Sequence, residues 1–143
     1  MQLSSTPEVT NLKQHKFAGR HLLASYFDCE ESVIQDAQRC LTALQNAAAA
    51  SGVTVVSENV HHFPNGAVTA ILLLAESHAS IHTYPEHRSC FIDFFTCGAG
   101  DIEKFDRVLK SEFKPAHSDV KIVERGVDKS GGLPHRLSTD KTT

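Results

Sequence analysis

The sequence has 143 residues, of which 41% are hydrophobic, and this is enough for one domain with its own core. Its formal charge of −3, from 14 basic and 17 acidic residues without a basic cluster among aromatics, argues against nucleic-acid binding. The longest apolar run, residues 67–75, is far shorter than the about 20 residues of a membrane span. Residues 1–16 form no apolar signal region, so we expect a cytoplasmic protein without a membrane partner.

The first half of the chain predicts a strand, a helix and a hairpin. Residues 19–29 are typical of a half-buried strand, and apolar residues at helical spacing predict a helix over residues 31–51, with Gly52 ending it. Residues 53–63 are rich in β-branched residues and predict a second strand. A Pro-Asn-Gly turn then leads into residues 67–75, a continuous apolar run that predicts a strand buried on both faces.

The second half predicts a loop, two strands and one more helix. The loop covers residues 77–88, a strand covers residues 89–97, a helix covers residues 101–113, and a last strand covers residues 120–124. The order β-α-β-β-β-α-β predicts an α+β fold, a two-layer α/β sandwich with both helices on one face of an antiparallel-rich sheet. The other sheet face then needs a cover, and we expect a second protomer there.

The two ends of the chain differ in composition from its middle. Residues 1–16 are polar and irregular, and residues 127–143 are polar enough to predict a disordered C-terminal tail. Residues 17–126 are therefore predicted to form a single domain.

Chemically active side chains are concentrated in residues 76–86, followed shortly by a cysteine. A segment built only for a core would carry aliphatic residues, because an unpartnered buried polar group costs about 1–3 kcal/mol. Each residue alone is more often an ordinary loop, surface or core residue, and only the combination indicates a site. The combination is Glu76, Ser77, His78, His82, Glu86 and Cys97.

Two general kinds of site fit this cluster poorly. His78 and His82 are four residues apart, which on a helix face would suggest zinc with Cys97, but the predicted loop removes that meaning. We therefore expect no metal. A serine hydrolase is disfavoured because the chain lacks a G-x-S-x-G elbow. The other three cysteines form no C-x-x-C pair and are predicted to be buried without disulfides.

Two motifs resemble the signature of the small prokaryotic S-adenosylmethionine decarboxylases, pyruvoyl enzymes of polyamine synthesis. They are residues 76–86 (ESHASIHTYPE) and residues 93–98 (DFFTCG). The similarity extends to residues 19–22 (GRHL), to Phe63 and to residues 124–126 (ERG). The resemblance therefore covers most of the predicted domain, and its motif spacing and element order agree.

The resemblance implies a proenzyme that cleaves itself between Glu76 and Ser77 and converts Ser77 into a pyruvoyl group. No external cofactor is then needed, since the pyruvoyl carbonyl forms a Schiff base with the substrate amine. His82 is the candidate base for processing, and Cys97 is implied to be the proton donor in decarboxylation. Thr69 matches a position where the family usually has serine, so its hydroxyl is a candidate to stabilise the oxyanion or assist His82.

The implied reaction converts S-adenosylmethionine into the aminopropyl donor for spermidine. Phe63 is implied to stack on adenine, Glu86 to bind the ribose hydroxyls, and Tyr84 to stand where the family commonly has Trp. Because such departures lie around the substrate, a pyruvoyl-dependent arginine or ornithine decarboxylase remains an alternative. A non-processing partner of an active paralogue is another alternative, which the presence of Ser77, His82 and Cys97 disfavours. The resemblance also implies a homodimer of cleaved chain pairs.

Overall fold

Six antiparallel strands and three helices make up residues 17–98 and 100–126, which are the residues that the computed structural model describes. In chain order the elements are β1 (Ala18–Phe27), α1 (Glu31–Ile34), α2 (Ala37–Ala50), β2 (Val55–His62), β3 (Val68–Leu74), β4 (Ser77–Tyr84), β5 (Ser89–Thr96), α3 (Ile102–Phe113) and β6 (His117–Gly126). They form one sheet in the order β2-β3-β4-β5-β1-β6. The predicted α+β fold class is confirmed.

The helices pack on one face of this sheet and form the core with it. Alternate strand residues such as Leu22, Leu72 and Ile81 point to the helices and are fully buried. Phe94 of β5 stacks on Phe105 of α3, with ring centroids 4.1 Å apart. Burying these side chains supplies most of the hydrophobic stabilisation, so the helix layer holds the sheet in shape.

The predicted loop over residues 77–88 is wrong, because most of it is strand β4. Ala79, Ile81 and Thr83 point into the core, while His78 and His82 lie on the other face. The polar residues at every second position of β4 resemble those of a loop, because the sequence does not show the neighbouring strands that pair with it. The predicted order β-α-β-β-β-α-β therefore lacks one strand, and only a short 3-10 turn, Pro85–His87, separates β4 from β5.

The predicted single helix over residues 31–51 is also wrong, since it is divided in two. Asp36 has an extended backbone, and its side chain accepts a hydrogen bond from the backbone N–H of Arg39 at 3.2 Å. This N-cap begins α2 and ends the continuity with α1. The predicted end of the helix is confirmed, because Gly52 has a φ of +91° directly after the cap residue Ser51.

The sheet face opposite the helices, which we call the open face, is apolar at many positions. Strand β3 is not buried on both faces as its sequence predicts, because Ile71 and Leu73 are each 50% exposed. The same face carries further large apolar side chains that are 39–44% exposed, namely Leu23, Tyr84, Phe91 and Val123. Apolar surface of this extent is typical of an interaction site.

The remaining predictions concern the cysteines, the membrane and the ends of the chain. Cys29, Cys40 and Cys90 are fully buried and unpaired, as predicted, and Cys97 is half-buried. None of the helices in the described part of the chain has the length and apolar character needed to cross a bilayer. The predicted tails, residues 1–16 and 127–143, lie outside the described residues.

Candidate active site

Two of the four predicted catalytic residues, Ser77 and Cys97, meet at the carbonyl oxygen of Glu76. Ser77, the first residue of β4, pairs with Thr96 of β5, and its hydroxyl donates a hydrogen bond to this oxygen. Cys97 follows β5 directly, and its thiol donates to the same oxygen at 3.0 Å. One peptide carbonyl oxygen thus accepts from both a neighbouring hydroxyl and a neighbouring thiol.

The turn between β3 and β4 is held in place by the segment before β2. The backbone N–H of Ala75 donates to the carbonyl of Thr54 at 2.9 Å. The N–H of Thr54 donates in turn to the side-chain carboxylate of Glu76 at 3.4 Å. Both contacts hold the chain directly before the Glu76 peptide carbonyl, so the position of this carbonyl beside Cys97 is set by the fold.

Cys97 also lines a cavity of about 250 Å³ at the end of the sheet. The cavity wall is formed by the beginning of β1 and the end of β6, including Arg20, Glu124 and Arg125. The three separate parts of the sequence resemblance, at residues 19–22, 93–98 and 124–126, are therefore neighbours in space. Two cationic residues and one acidic residue therefore line the same cavity as Cys97.

A polar cluster that the sequence analysis did not identify lies on the open face next to this cavity. Arg125 donates to His21 Nδ1 at 3.3 Å, and His21 Nε2 is 3.1 Å from Asp93 Oδ1. Because a guanidinium can only donate, Nδ1 of His21 accepts and its Nε2–H donates to Asp93. Arg125 also lies over the ring of Phe95, at 4.8 Å from its centroid. The sequence did carry a signal for this cluster, because His21 and Arg125 both belong to segments that resemble the family, residues 19–22 and 124–126.

His78, which directly follows Ser77, belongs to the same cluster. Its ring lies 6.2 Å from that of His21 and 5.9 Å from that of Phe95. Burial lowers the pKa of His78 below its ordinary value, and the neighbouring His21 and Arg125 lower it further, whereas Asp93 acts in the opposite direction. His78 is therefore kept neutral beside Ser77 at neutral pH.

His82 and Thr69 form a second group that is separate from Ser77. They face each other across β3 and β4, with Thr69 Oγ1 at 3.2 Å from His82 Nδ1. His82 is exposed on the open face and lies five residues along the strand from Ser77, which corresponds to roughly 17 Å. Within one protomer, the candidate base and the bond that it is predicted to process are therefore far apart.

The three predicted substrate residues lie at the same remote end of the sheet. Tyr84 ends β4, Glu86 lies in the 3-10 turn, and Phe63 precedes the β2–β3 turn. Phe63 is 43% exposed and Tyr84 is 39% exposed, so both rings are available for contact. The fold thus gathers Phe63, Tyr84 and Glu86 at the end that lies away from Ser77.

No group of three or more His, Cys, Asp or Glu side chains in residues 17–98 and 100–126 is placed to hold a metal ion. Two histidines of the open face have other partners, since His21 contacts Asp93 and Arg125, and His82 contacts Thr69.

Comparison with known proteins gives one consistent result. The family model described as S-adenosylmethionine decarboxylase matches residues 20–126, which is nearly the whole described region. The S-adenosylmethionine decarboxylase proenzyme of Thermotoga petrophila is 36% identical over 120 residues, covering 83% of this chain and 92% of that protein. That of Thermosipho africanus is 35% identical over 130 residues, covering 85% and 98%.

A solved structure agrees with these sequence matches. The adenosylmethionine decarboxylase from Aquifex aeolicus superimposes with a TM-score of 0.70 at 30% sequence identity. The superposition covers 82% of this chain and 98% of that one.

Proposed function

This chain belongs to the S-adenosylmethionine decarboxylase family, and on that premise we propose that it cleaves itself before Ser77 and decarboxylates S-adenosylmethionine. One domain over residues 17–126 carries both reactions, and the product serves polyamine synthesis. The observation that carries the proposal is the carbonyl oxygen of Glu76, which accepts from both Ser77 Oγ and Cys97 Sγ. A pair of donors on one peptide carbonyl is suited to an acyl shift on that peptide.

The first step needs a nucleophile and a donor for the oxyanion, and both are adjacent. Ser77 Oγ attacks the carbonyl carbon of Glu76, and negative charge develops on the oxygen that Cys97 already contacts at 3.0 Å. A donor that is in position before the reaction needs no reorganisation when the charge develops. The peptide C–N bond then breaks, so that Glu76 becomes an ester of Ser77.

The second step needs a base for the α-proton of Ser77, and His82 of the same protomer is too far along β4 to act. We propose that His82 of the partner subunit is that base, with Thr69 of the partner subunit orienting its ring. The contact between Thr69 Oγ1 and His82 Nδ1 supports this role, because it engages Nδ1 and does not use Nε2, the other ring nitrogen. A base supplied across an interface accounts for the exposure of His82 in a single chain.

The open face supplies the surface for that interface. Two copies that pack open face to open face bury the half-exposed apolar side chains of β3 and β5. When the twofold axis of the dimer lies across the strands, the remote end of one sheet meets the Ser77 end of the other, and this occurs twice. Phe63, Tyr84 and Glu86 of the partner subunit then reach the substrate, with aromatic rings for adenine and a carboxylate for the ribose hydroxyls.

The residues around Ser77 fit a pyruvoyl group, because the serine hydroxyl already lies on the carbonyl from which it must take the acyl chain. Such a group supplies an electron-accepting carbonyl for the decarboxylation of an amino acid. Cys97 holds a proton beside position 77 and is the acid that protonates the product.

Substrate decarboxylation is the direct test of this function. We expect labelled carbon dioxide from carboxyl-labelled S-adenosylmethionine, and none from labelled arginine or ornithine assayed in parallel. Denaturing mass spectrometry of the same samples should find chains split before Ser77, the later one without a free amine. Release from arginine or ornithine alone, or turnover by a preparation of intact chains, would contradict the proposal.

Removing the thiol tests its part in processing. We expect Cys97→Ala to slow self-cleavage by roughly 100-fold, because one oxyanion donor is lost. The matched control is Cys97→Ser, which keeps a donor at this position and should cleave faster than the alanine variant. The fraction of cleaved chain over time, measured by denaturing mass spectrometry, gives both rates. Cleavage of Cys97→Ala at the wild-type rate would show that the thiol does not stabilise the oxyanion.

A further inference from the structure

We infer that self-cleavage also prepares Cys97 for its role as an acid, because the new C-terminal carboxylate of Glu76 accepts its hydrogen bond and keeps the thiol protonated. This inference rests on the proposed function, since the carboxylate exists only if the chain breaks between Glu76 and Ser77. Glu76 would then be a positioning residue of the mature enzyme as well as one side of the cleaved bond.

The atoms of the cleavage place this carboxylate next to the thiol. In the acyl shift Ser77 Oγ bonds to the Glu76 carbonyl carbon, the C–N bond breaks, and the nitrogen takes the hydroxyl proton. In the elimination the base takes the α-proton, a Cα=Cβ double bond forms, and the Cβ–Oγ bond breaks with its electron pair on oxygen. The dehydroalanine left at position 77 tautomerises, takes up water and releases ammonia. Glu76 therefore keeps its carbonyl oxygen, gains Ser77 Oγ, and carries one new negative charge.

Both oxygens of the new carboxylate start within the contact that the structure describes. The Glu76 carbonyl oxygen is 3.0 Å from Cys97 Sγ, and Ser77 Oγ lies against that oxygen. The contacts with Thr54 hold the backbone of Ala75 and the side chain of Glu76, so the new terminus remains anchored after the break. A neutral acceptor beside the thiol thus becomes an anion at the same place.

An anion within hydrogen-bonding distance penalises the thiolate and favours the thiol. The other charged residues that line the cavity with Cys97 are Arg20, Glu124 and Arg125, and Arg20 is paired with Glu103 of α3 at 2.9 Å. The side-chain carboxylate of Glu76 accepts from the N–H of Thr54. All of these charged groups are present before and after cleavage, and the new N-terminus is blocked and uncharged. Among the charges near Cys97, the new carboxylate is therefore the one by which the cleaved chain differs from the intact chain.

The pH dependence of Cys97 alkylation measures this effect without any turnover. Folded protein is treated with iodoacetamide over a pH series, and labelling is followed by mass spectrometry in cleaved wild type and in intact Ser77→Ala. We expect the midpoint pH of labelling to be higher in the cleaved protein by about one unit or more. Labelling reports Cys97 because the other three cysteines are fully buried, and Cys97→Ser is the blank.

Two further measurements remove the dependence on one variant. Partly processed wild type contains intact and cleaved chains in one sample, and mass spectrometry reads the labelling of each. Glu76→Gln, compared before and after cleavage, removes the side-chain charge and keeps the new terminus, so the difference should persist. Equal midpoints in cleaved and intact protein, or a difference that disappears in Glu76→Gln, would overturn the inference alone. Wild type that never cleaves would overturn the proposed function together with it.

Discussion

A Ser77→Ala variant is expected to remain one intact chain without any carbonyl group that hydroxylamine or borohydride can trap. The acyl shift requires the Ser77 hydroxyl, and no other hydroxyl contacts the Glu76 carbonyl oxygen among the contacts of the described residues. Processing should therefore be lost completely instead of slowed. Decarboxylation should be lost with it, because the electron-accepting group is never made.

The fold should survive this change, so the result can be assigned to chemistry. Ser77 is half-buried at the beginning of β4, and its pairing with Thr96 uses backbone groups that alanine retains. Denaturing mass spectrometry after long incubation measures cleavage, and circular dichroism checks the fold. Ser80→Ala is the matched control, since it removes a half-buried hydroxyl from the same strand and should cleave normally. Two fragments from Ser77→Ala would mean that the cleaved bond lies elsewhere.

Chains carrying His82→Ala and chains carrying Ser77→Ala are expected to restore cleavage when they are expressed together, although neither cleaves alone. In the mixed dimer, the Ser77 of the first chain meets the His82 of the second. With equal amounts and random pairing, about half of the His82→Ala chains should enter mixed dimers and be cleaved. The Ser77→Ala chains should stay intact.

Mass spectrometry distinguishes the two chains, because each substitution changes the mass of its own fragments. The control replaces the second chain by the double variant Ser77→Ala/His82→Ala, which can dimerise but offers no imidazole, and cleavage should stay absent. A mixture that remains intact would exclude a base supplied by the partner. Normal cleavage of His82→Ala alone would exclude His82 as the base.

The sequence predicts a helix end or a turn well where the residues that stabilise it all lie within one short segment. Helix α3 was predicted over residues 101–113 and spans Ile102–Phe113, because Asp101 caps it and accepts from the N–H of Lys104 at 3.0 Å. The Pro-Asn-Gly turn forms as predicted, with Gly66 at a φ of +92° and the Asn65 side chain accepting from Ala67. In both cases the deciding contacts lie within four residues.

Strand β4 was not predicted because the interactions that make it a strand come from residues distant in the sequence. Only half of its side chains are apolar, and His78, Ser80 and His82 are polar since they face away from the helices. Its strand state comes from backbone hydrogen bonds to β3 and β5, which lie on either side of it in the sheet. The apolar run of β3 predicts burial on both faces, and this is wrong because Ile71 and Leu73 on the open face are exposed in a single chain.

The amino-acid sequence by itself determined which reactive groups the proposed chemistry can use, namely the Glu76-Ser77 bond, the thiol of Cys97 and the imidazole of His82, and the spacing of the motifs that contain them. Tertiary structure alone decided which of these groups can meet. The register that pairs Ser77 with Thr96 brings Cys97 to the carbonyl of Glu76, which lies twenty-one residues away in the chain. An extended strand advances about 3.3 Å per residue, so the same fold carries His82 away from Ser77 although only five residues separate them.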